Sequence, residues 1–254
     1  EFAGWSGAVS GSANPVEIVM DSSKSVTAAF TVKTYTLTTS ATNGSVVRSP
    51  ESTTYTHGST VSLQAVAAEG YHFTGWSGAV TGSSNPVSLV MDASKSVTAA
   101  FAANAYTLSI SASNGTVTAN PSQATYTHGQ VVTLTATPST GYSFSSWSGD
   151  ASGTAASTTI TMDANKSVTA AFTLNTYTLS ISAANGTVTR DPEQATYTHG
   201  QTVTLTAVPA TGYSFSSWSG DLSGTVASAT ITMDGNKSVA AGFTINSYTL
   251  NTSG

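Results

Sequence analysis

Four sets of side chains in this sequence have the types and spacing for chemistry. The first is aromatic. "GYSFSSWSGD" stands at residues 141–150 and again, unchanged, at 212–221; "GYHFTGWSGA" stands at 70–79, and residues 1–8 read "EFAGWSGA". Each full run sets Tyr, Phe and Trp close together. An indole on a surface stacks on sugars and protein partners, so Trp5, Trp76, Trp147 and Trp218 are the candidate surface-binding residues. The second set is His57, His128 and His199, each in "YTHG", where imidazole could ligate a metal. The third is the pairs Asp21/Lys24, Asp92/Lys95, Asp163/Lys166 and Asp234/Lys237 in "MDxxKS", which could pair or cross-link. The fourth is Asp150 and Asp221 in "SGD", carboxylates that could hold calcium.

Each set also has a structural reading. Tyr142 and Phe144 run in phase with the apolar residues around them, and a small domain needs its rings as core. Trp147 breaks that parity. A bulge near Ser145-Ser146 would turn all three rings inward; without one, Trp147 stays free for a ligand. Zinc takes about four converging ligands. Each unit offers one "YTHG" histidine and no Cys, with His72 an extra in one copy, so a turn histidine is the expectation. Asp at a turn start caps its own backbone, and Lys three residues on pairs with it. An isopeptide bond would need a buried acid beside the lysine, which a hairpin tip does not supply. Calcium takes six to eight oxygens, whereas the first two copies carry Ala8 and Ala79 where Asp150 and Asp221 stand. Paired acids, a nucleophile with a base, and a phosphate loop are missing. No enzyme, cofactor or metal is expected.

Those side chains are positioned by a repeat. Trp5, Trp76, Trp147 and Trp218 are 71 residues apart, as are Met20, Met91, Met162 and Met233. Residues 106–176 and 177–247 share 56 of 71 positions without a gap, so the aromatics belong to the unit and not to one special site. The organisation is residues 1–34 as the C-terminal half of a repeat, then repeats 35–105, 106–176 and 177–247, then 248–254 as the first strand of a following repeat. The simplest reading is a window on a longer array. A unit this long is too large for one solenoid coil and suits a very small domain.

Within 106–176, "YTLSISA" alternates with period two and reads as a strand. Asn114-Gly115 then signals a hairpin with "TVTAN" as its return strand, ended by Pro121. "VVTLTATP", "GYSFSSW", "TTITM" and "SVTAAF" supply four more strands, with Val132, Leu134, Ala136, Ile160, Met162, Val168, Ala170 and Phe172 inward. Thr and Ser fill the outer faces, where Thr suits a strand by its branched Cβ. The expected fold class is therefore all-β, a tandem array of small β-domains, each a two-layer sandwich or a β-grasp-like sheet. The link "TLNT" at 173–176 is short, so the array is expected to be rod-like overall.

Composition narrows the partners. Only 7% of residues are charged, against about 25% in a typical soluble domain. The net charge of −5 offers no basic patch for nucleic acid. No apolar run nears the roughly 20 residues of a membrane helix, so no membrane insertion is expected in this window. Cysteine is absent.

The order of an Asn-Gly turn, Tyr126 to Gly129, Val132 to Ala136, Gly141 to Trp147 and Lys166 to Phe172 resembles the bacterial B-repeat of internalin-type proteins, the Listeria–Bacteroides repeat, in its divergent form. The resemblance covers essentially the whole chain through its copies. It implies a small β-rich fold, grasp-like in better-known members, and an extracellular or cell-surface bacterial location. It brings no common catalytic residues. The function expected is a non-catalytic extracellular structural array, either a stalk or a self-assembling surface fibre. The alternatives are an adhesin module binding glycan or host protein, and an accessory region of a secreted enzyme. Self-association between neighbouring repeats or other copies of the chain is the partner expected first, since uncharged Thr/Ser edges are poorly protected against strand pairing.

Overall fold

The computed structural model describes residues 1–251; the reading of residues 248–254 as a first strand extends onto 252–254, outside the described residues. Among the described residues every element longer than a turn is a strand. Two compact units are present, residues 1–106 with 127–129, and residues 107–126 with 130–254.

The repeat 177–247, in the second unit, shows the architecture of a complete copy. Strand Lys237–Ile245 is the centre of one three-stranded sheet, with Leu179–Ala183 parallel to it on one side and Tyr213–Gly220 antiparallel on the other. Strand Thr202–Pro209 is the centre of a second sheet, antiparallel to both Gly186–Asp191 and Ser228–Thr232. The inner faces of the two sheets meet in one core. Val203, Leu205 and Ala207 come from one central strand, Val239 and Ala241 from the other, and Leu179, Tyr197, Trp218, Ile231 and Met233 fill the space between them. A two-layer sandwich is thus the outcome of period-two alternation on both central strands. The six expected strands are all present, joined by a two-residue ribbon between Thr176–Tyr177 and Tyr197–Thr198.

The Asn-Gly turn departs from expectation. Leu179–Ala183 and Gly186–Asp191 flank it but do not pair with each other, and each enters a different sheet. The same holds for Leu108–Ala112 and Gly115–Asn120 about Asn114. The turn is a corner between layers and not a hairpin. A two-residue hairpin turn of the expected type needs positive φ at both central residues. Here only the Asn takes it, at 65°, 66° and 67° for Asn43, Asn114 and Asn185. The Gly serves a different purpose. A β-carbon on Gly186 would stand 2.6 Å from Cζ of Phe243 and 2.7 Å from the Val208 carbonyl oxygen. Glycine therefore admits the Phe ring to the corner, and the two strands turn their apolar residues, Ile181 and Val188, onto the same core from opposite layers.

The first unit contains the repeat 35–105 with the same two sheets, Leu37–Ala41, Lys95–Ala103 and Tyr71–Gly78 in one, Gly44–Ser49, Thr60–Ala67 and Val87–Val90 in the other. It also contains residues 1–34, where Phe2–Gly7 pairs antiparallel with Val26–Phe30 as a two-stranded sheet.

Candidate functional site

The aromatic run forms a bulged strand. In Tyr213–Gly220 the register jumps between Phe215, opposite Phe243, and Ser217, opposite Gly242. Tyr142–Gly149 jumps in the same place, between Phe144 and Ser146. One extra residue resets the parity, so the Trp two residues beyond the bulge points inward as Phe does. Trp76, Trp147 and Trp218 are buried, at most 5% exposed. Phe215 lies 5.2 Å from Trp218 and 5.9 Å from Phe243 by ring centroids, the second contact edge-on. Tyr213 is half-buried and stands outside that core cluster.

Each indole also spends its N–H internally. Nε1 of Trp218 donates to the Val226 carbonyl at 2.9 Å, Trp147 to Ala155 at 2.8 Å, and Trp76 to Ser84 at 2.9 Å. The Trp218 backbone N–H donates to Gly224 at 2.7 Å. The ring thus pins the loop that follows it. Of the four candidate surface-binding residues, Trp76, Trp147 and Trp218 therefore have both ring and donor engaged by the fold. Trp5 makes the same bond, to Ala13 at 2.9 Å, and is only half-buried because residues 1–34 have no second sheet over them.

The Asp–Lys pairs are turn locks. Lys237 Nζ lies 2.6 Å from Asp234, Lys95 2.8 Å from Asp92, and Lys24 2.9 Å from Asp21. The hydrogen bond that the Lys237 ammonium donates to Asp234 holds that carboxyl below the usual carboxylate range and raises Lys237. Asp221 accepts from the Ser238 backbone N–H at 2.7 Å, and Asp150 from Ser167 at 2.7 Å, so each carboxylate closes the end of a strand pair. Among the described residues no three His, Cys, Asp or Glu side chains converge as metal ligands would.

The "YTHG" histidine does more than occupy a turn. His199 lies against Gly141 of the preceding repeat so closely that a β-carbon on that glycine would collide with the ring. Asn175, between the strands Lys166–Leu174 and Thr176–Tyr177, joins the two sides. Its N–H donates to the Gly141 carbonyl at 2.8 Å, its carbonyl accepts from the His199 N–H at 2.9 Å, and its Oδ1 accepts from Ser143 Oγ at 2.6 Å. Tyr177 stands edge-on to His199 at 6.0 Å. In the first unit, Asn104 repeats the pattern, bonding to Gly70 at 2.7 Å and His128 at 3.1 Å, and a β-carbon on Gly70 would likewise strike His128. His57, by contrast, is exposed. Periodicity within a unit carries no trace of this contact. The available signal was the pairing of Gly141 with His199 and Gly70 with His128, each 58 residues apart.

Concavities are shallow. One lies over Ile181, Val188, Arg190 and Glu193 at the mouth between the two layers, where Arg190 and Glu193 stand 3.9 Å apart.

No curated protein sequence matches the chain. Among solved structures, it is similar to the TIE protein of Bacillus anthracis, at 10% identity and a TM-score of 0.41, over 85% of this chain and 51% of that one. The chain thus spans about half the length of that protein. A sequence profile of the divergent InlB B-repeat domain matches residues 1–34, 35–105, 106–176 and 177–247 in turn. With that profile matched along nearly its full length, and with the same corner, bulge and core in its complete copies, the chain belongs to the divergent InlB B-repeat family.

Proposed function

We propose that the chain is a non-catalytic structural array, a stalk or spacer on the outside of a bacterial cell. The observation that carries this reading is the burial of Trp76, Trp147 and Trp218. The residues best suited to grip a ligand serve the core and pin a loop. A second support is the joint at Asn175, which ties one repeat to the next through backbone bonds that need no particular surface sequence. The repeated unit then sets reach and spacing, and specificity resides elsewhere.

The test is solution scattering with light scattering on the purified chain, beside a glycan and host-protein binding screen. Monomers of extended dimensions, with no ligand retained, support the spacer. Ordered filaments at rising concentration would replace it with a fibre assembled through the sheet edges. A saturable ligand whose binding survives in single repeats would replace it with an adhesin. Hydrolytic activity in the chain itself would overturn its non-catalytic character.

A further inference from the structure

The three Asn-Gly corners put a reactive pair of residues where each complete repeat passes from one layer to the other. Asn43, Asn114 and Asn185 are exposed, and the glycine after each has no side chain to shield its nitrogen. Among the described residues no hydrogen bond fixes the carboxamides of these three. Other asparagines differ. Asn104 Oδ1 is held against His72 at 2.8 Å, and Asn175 and Asn246 accept from Ser143 and Ser214 at 2.6 Å. Asn165 and Asn236 accept from the backbone N–H groups of Thr107 and Thr178, and Asn85 both accepts from and donates to the Ala65 backbone. Asn14 and Asn120 precede proline, whose nitrogen has no proton to lose.

The glycine nitrogen also stands outside the ladder. The Ala210 N–H donates to the Asn185 carbonyl at 3.0 Å, which makes these opposed residues a hydrogen-bonded pair. Pairs alternate along an antiparallel ladder, so the next one, Gly186 with Pro209, is of the unbonded kind, and the Gly186 N–H points away from the partner strand. The bonds from Ser139 to Asn114 at 3.1 Å and from Ala68 to Asn43 at 3.0 Å set the same phase for Gly115 and Gly44.

We propose that the Asn-Gly corners are sites of spontaneous covalent modification, where each asparagine converts to aspartate and isoaspartate with loss of ammonia. The Gly186 amide gives its proton to hydroxide, and its nitrogen attacks Cγ of Asn185. The new N–Cγ bond forms, the bond from Cγ to the side-chain nitrogen breaks, and that nitrogen leaves as ammonia with a proton from water, which restores the hydroxide. Water then opens the cyclic imide at either carbonyl. Opening at Cγ gives aspartate; opening at the main-chain carbonyl gives isoaspartate, with one more carbon in the main chain. The corner has no room for it. Gly186 already lies against the Phe243 ring and the Val208 carbonyl, and Gly44 against Phe101 and Val66. Isoaspartate moves the glycine off that seat and displaces the carbonyl to which Ala210 donates. Each event also adds a negative charge to a chain whose net charge is −5. The repeats therefore loosen at the layer boundary as they age, and sooner at higher pH, because hydroxide frees the nitrogen. This goes beyond the spacer reading and does not rest on it.

The experiment ages the whole chain in mildly alkaline buffer and follows it by peptide-mapping mass spectrometry, with fragmentation that separates aspartate from isoaspartate. Peptides holding Asn43, Asn114 and Asn185 should gain the mass of OH in place of NH2 before those holding Asn104, Asn175 or Asn236. Asn185→Gly, which accepts the positive φ without the reactive group, should stop conversion at that corner alone. Asn185→Asp supplies the charge on an ordinary main chain. Exchange of the Ala210 amide should quicken by about fivefold in the isoaspartate fraction, the loss of about one hydrogen bond, and stay near the wild-type rate in Asn185→Asp. Intact asparagine at all three corners, after a free peptide of residues 181–190 has converted, would overturn the proposal. Ala210 exchange that is the same in the isoaspartate fraction as in the unaged chain would overturn the loosening.

Discussion

Residues 1–34 and the matching half of repeat 177–247 carry nearly the same pattern and reach different ends. Phe2–Gly7 pairs with Val26–Phe30 as Tyr213–Gly220 pairs with Lys237–Ile245, each with a register shift among the aromatics, and Trp5 holds its loop as Trp218 does. Yet Met20 is 69% exposed where Met233 is fully buried, and Phe30 is 72% exposed where Phe243 packs on the core. The antiparallel pair, the bulge and the pinned loop are therefore local properties of the aromatic half. Burial is not. It requires the second layer, built around Val203 and Leu205, and the parallel strand Leu179–Ala183 that closes the first. Local pairing shapes the half-repeat, and only sandwich closure turns that shape into a core.

The largest test of this contrast is indole removal. Trp218→Ala should destabilise repeat 177–247 by about 3–5 kcal/mol, the range for emptying a large aromatic site in a packed core. Trp5→Ala, at a half-covered site, should lose distinctly less. Denaturation followed by exchange within each repeat measures both, and equal losses would break the distinction between pairing and closure. Next is the corner. Gly186→Ala should cost about 1–3 kcal/mol, because a β-carbon there meets the Phe243 ring and a backbone oxygen. Gly235→Ala, where a β-carbon meets nothing within 4 Å, should leave thermal stability unchanged. A smaller effect is expected for Tyr197→Phe. Its buried hydroxyl donates to the Pro192 carbonyl at 2.9 Å, and losing that bond should cost about 1 kcal/mol in a urea titration.

The smallest effect belongs to the turn locks. Asp234→Asn should lower the melting temperature slightly, and less than any core substitution, since the pair with Lys237 is exposed. The folded Asp234 carboxyl is held below its ordinary value by Lys237. Its contribution is present above the unfolded carboxyl range and is lost as pH falls through the lower, folded value. Wild type and Asp234→Asn should therefore converge in stability in strong acid. A gap that stays constant down to that range would mean the lock acts by shape and not by charge.

Much of the fold was legible in the chain because β-strands write their facing in a period of two. The strands and their inward residues could be read that way, whereas the parity break at Trp147 left a bulge beside Ser145-Ser146 as one of two alternatives, which the register shift decides. Asn114-Gly115 misled because the dipeptide specifies a tight reversal and not the partner of the strand that leaves it. Its Gly answers to Phe172, more than fifty residues away. The histidine joint was missed for the same reason: Gly141 and His199 meet across two repeats, and neither residue has a periodicity that betrays the other.

The sequence by itself determined the 71-residue unit, the all-β class, the face each strand buries and membership of the repeat family. The tertiary structure alone decided that the Asn-Gly turn divides two layers, that the out-of-phase Trp is core, and that a turn histidine seats on its neighbour's glycine. Side-chain direction is fixed by adjacent residues, so the chain displays it. Strand partners and ring burial depend on which distant surfaces meet, and that is settled only when the layers close.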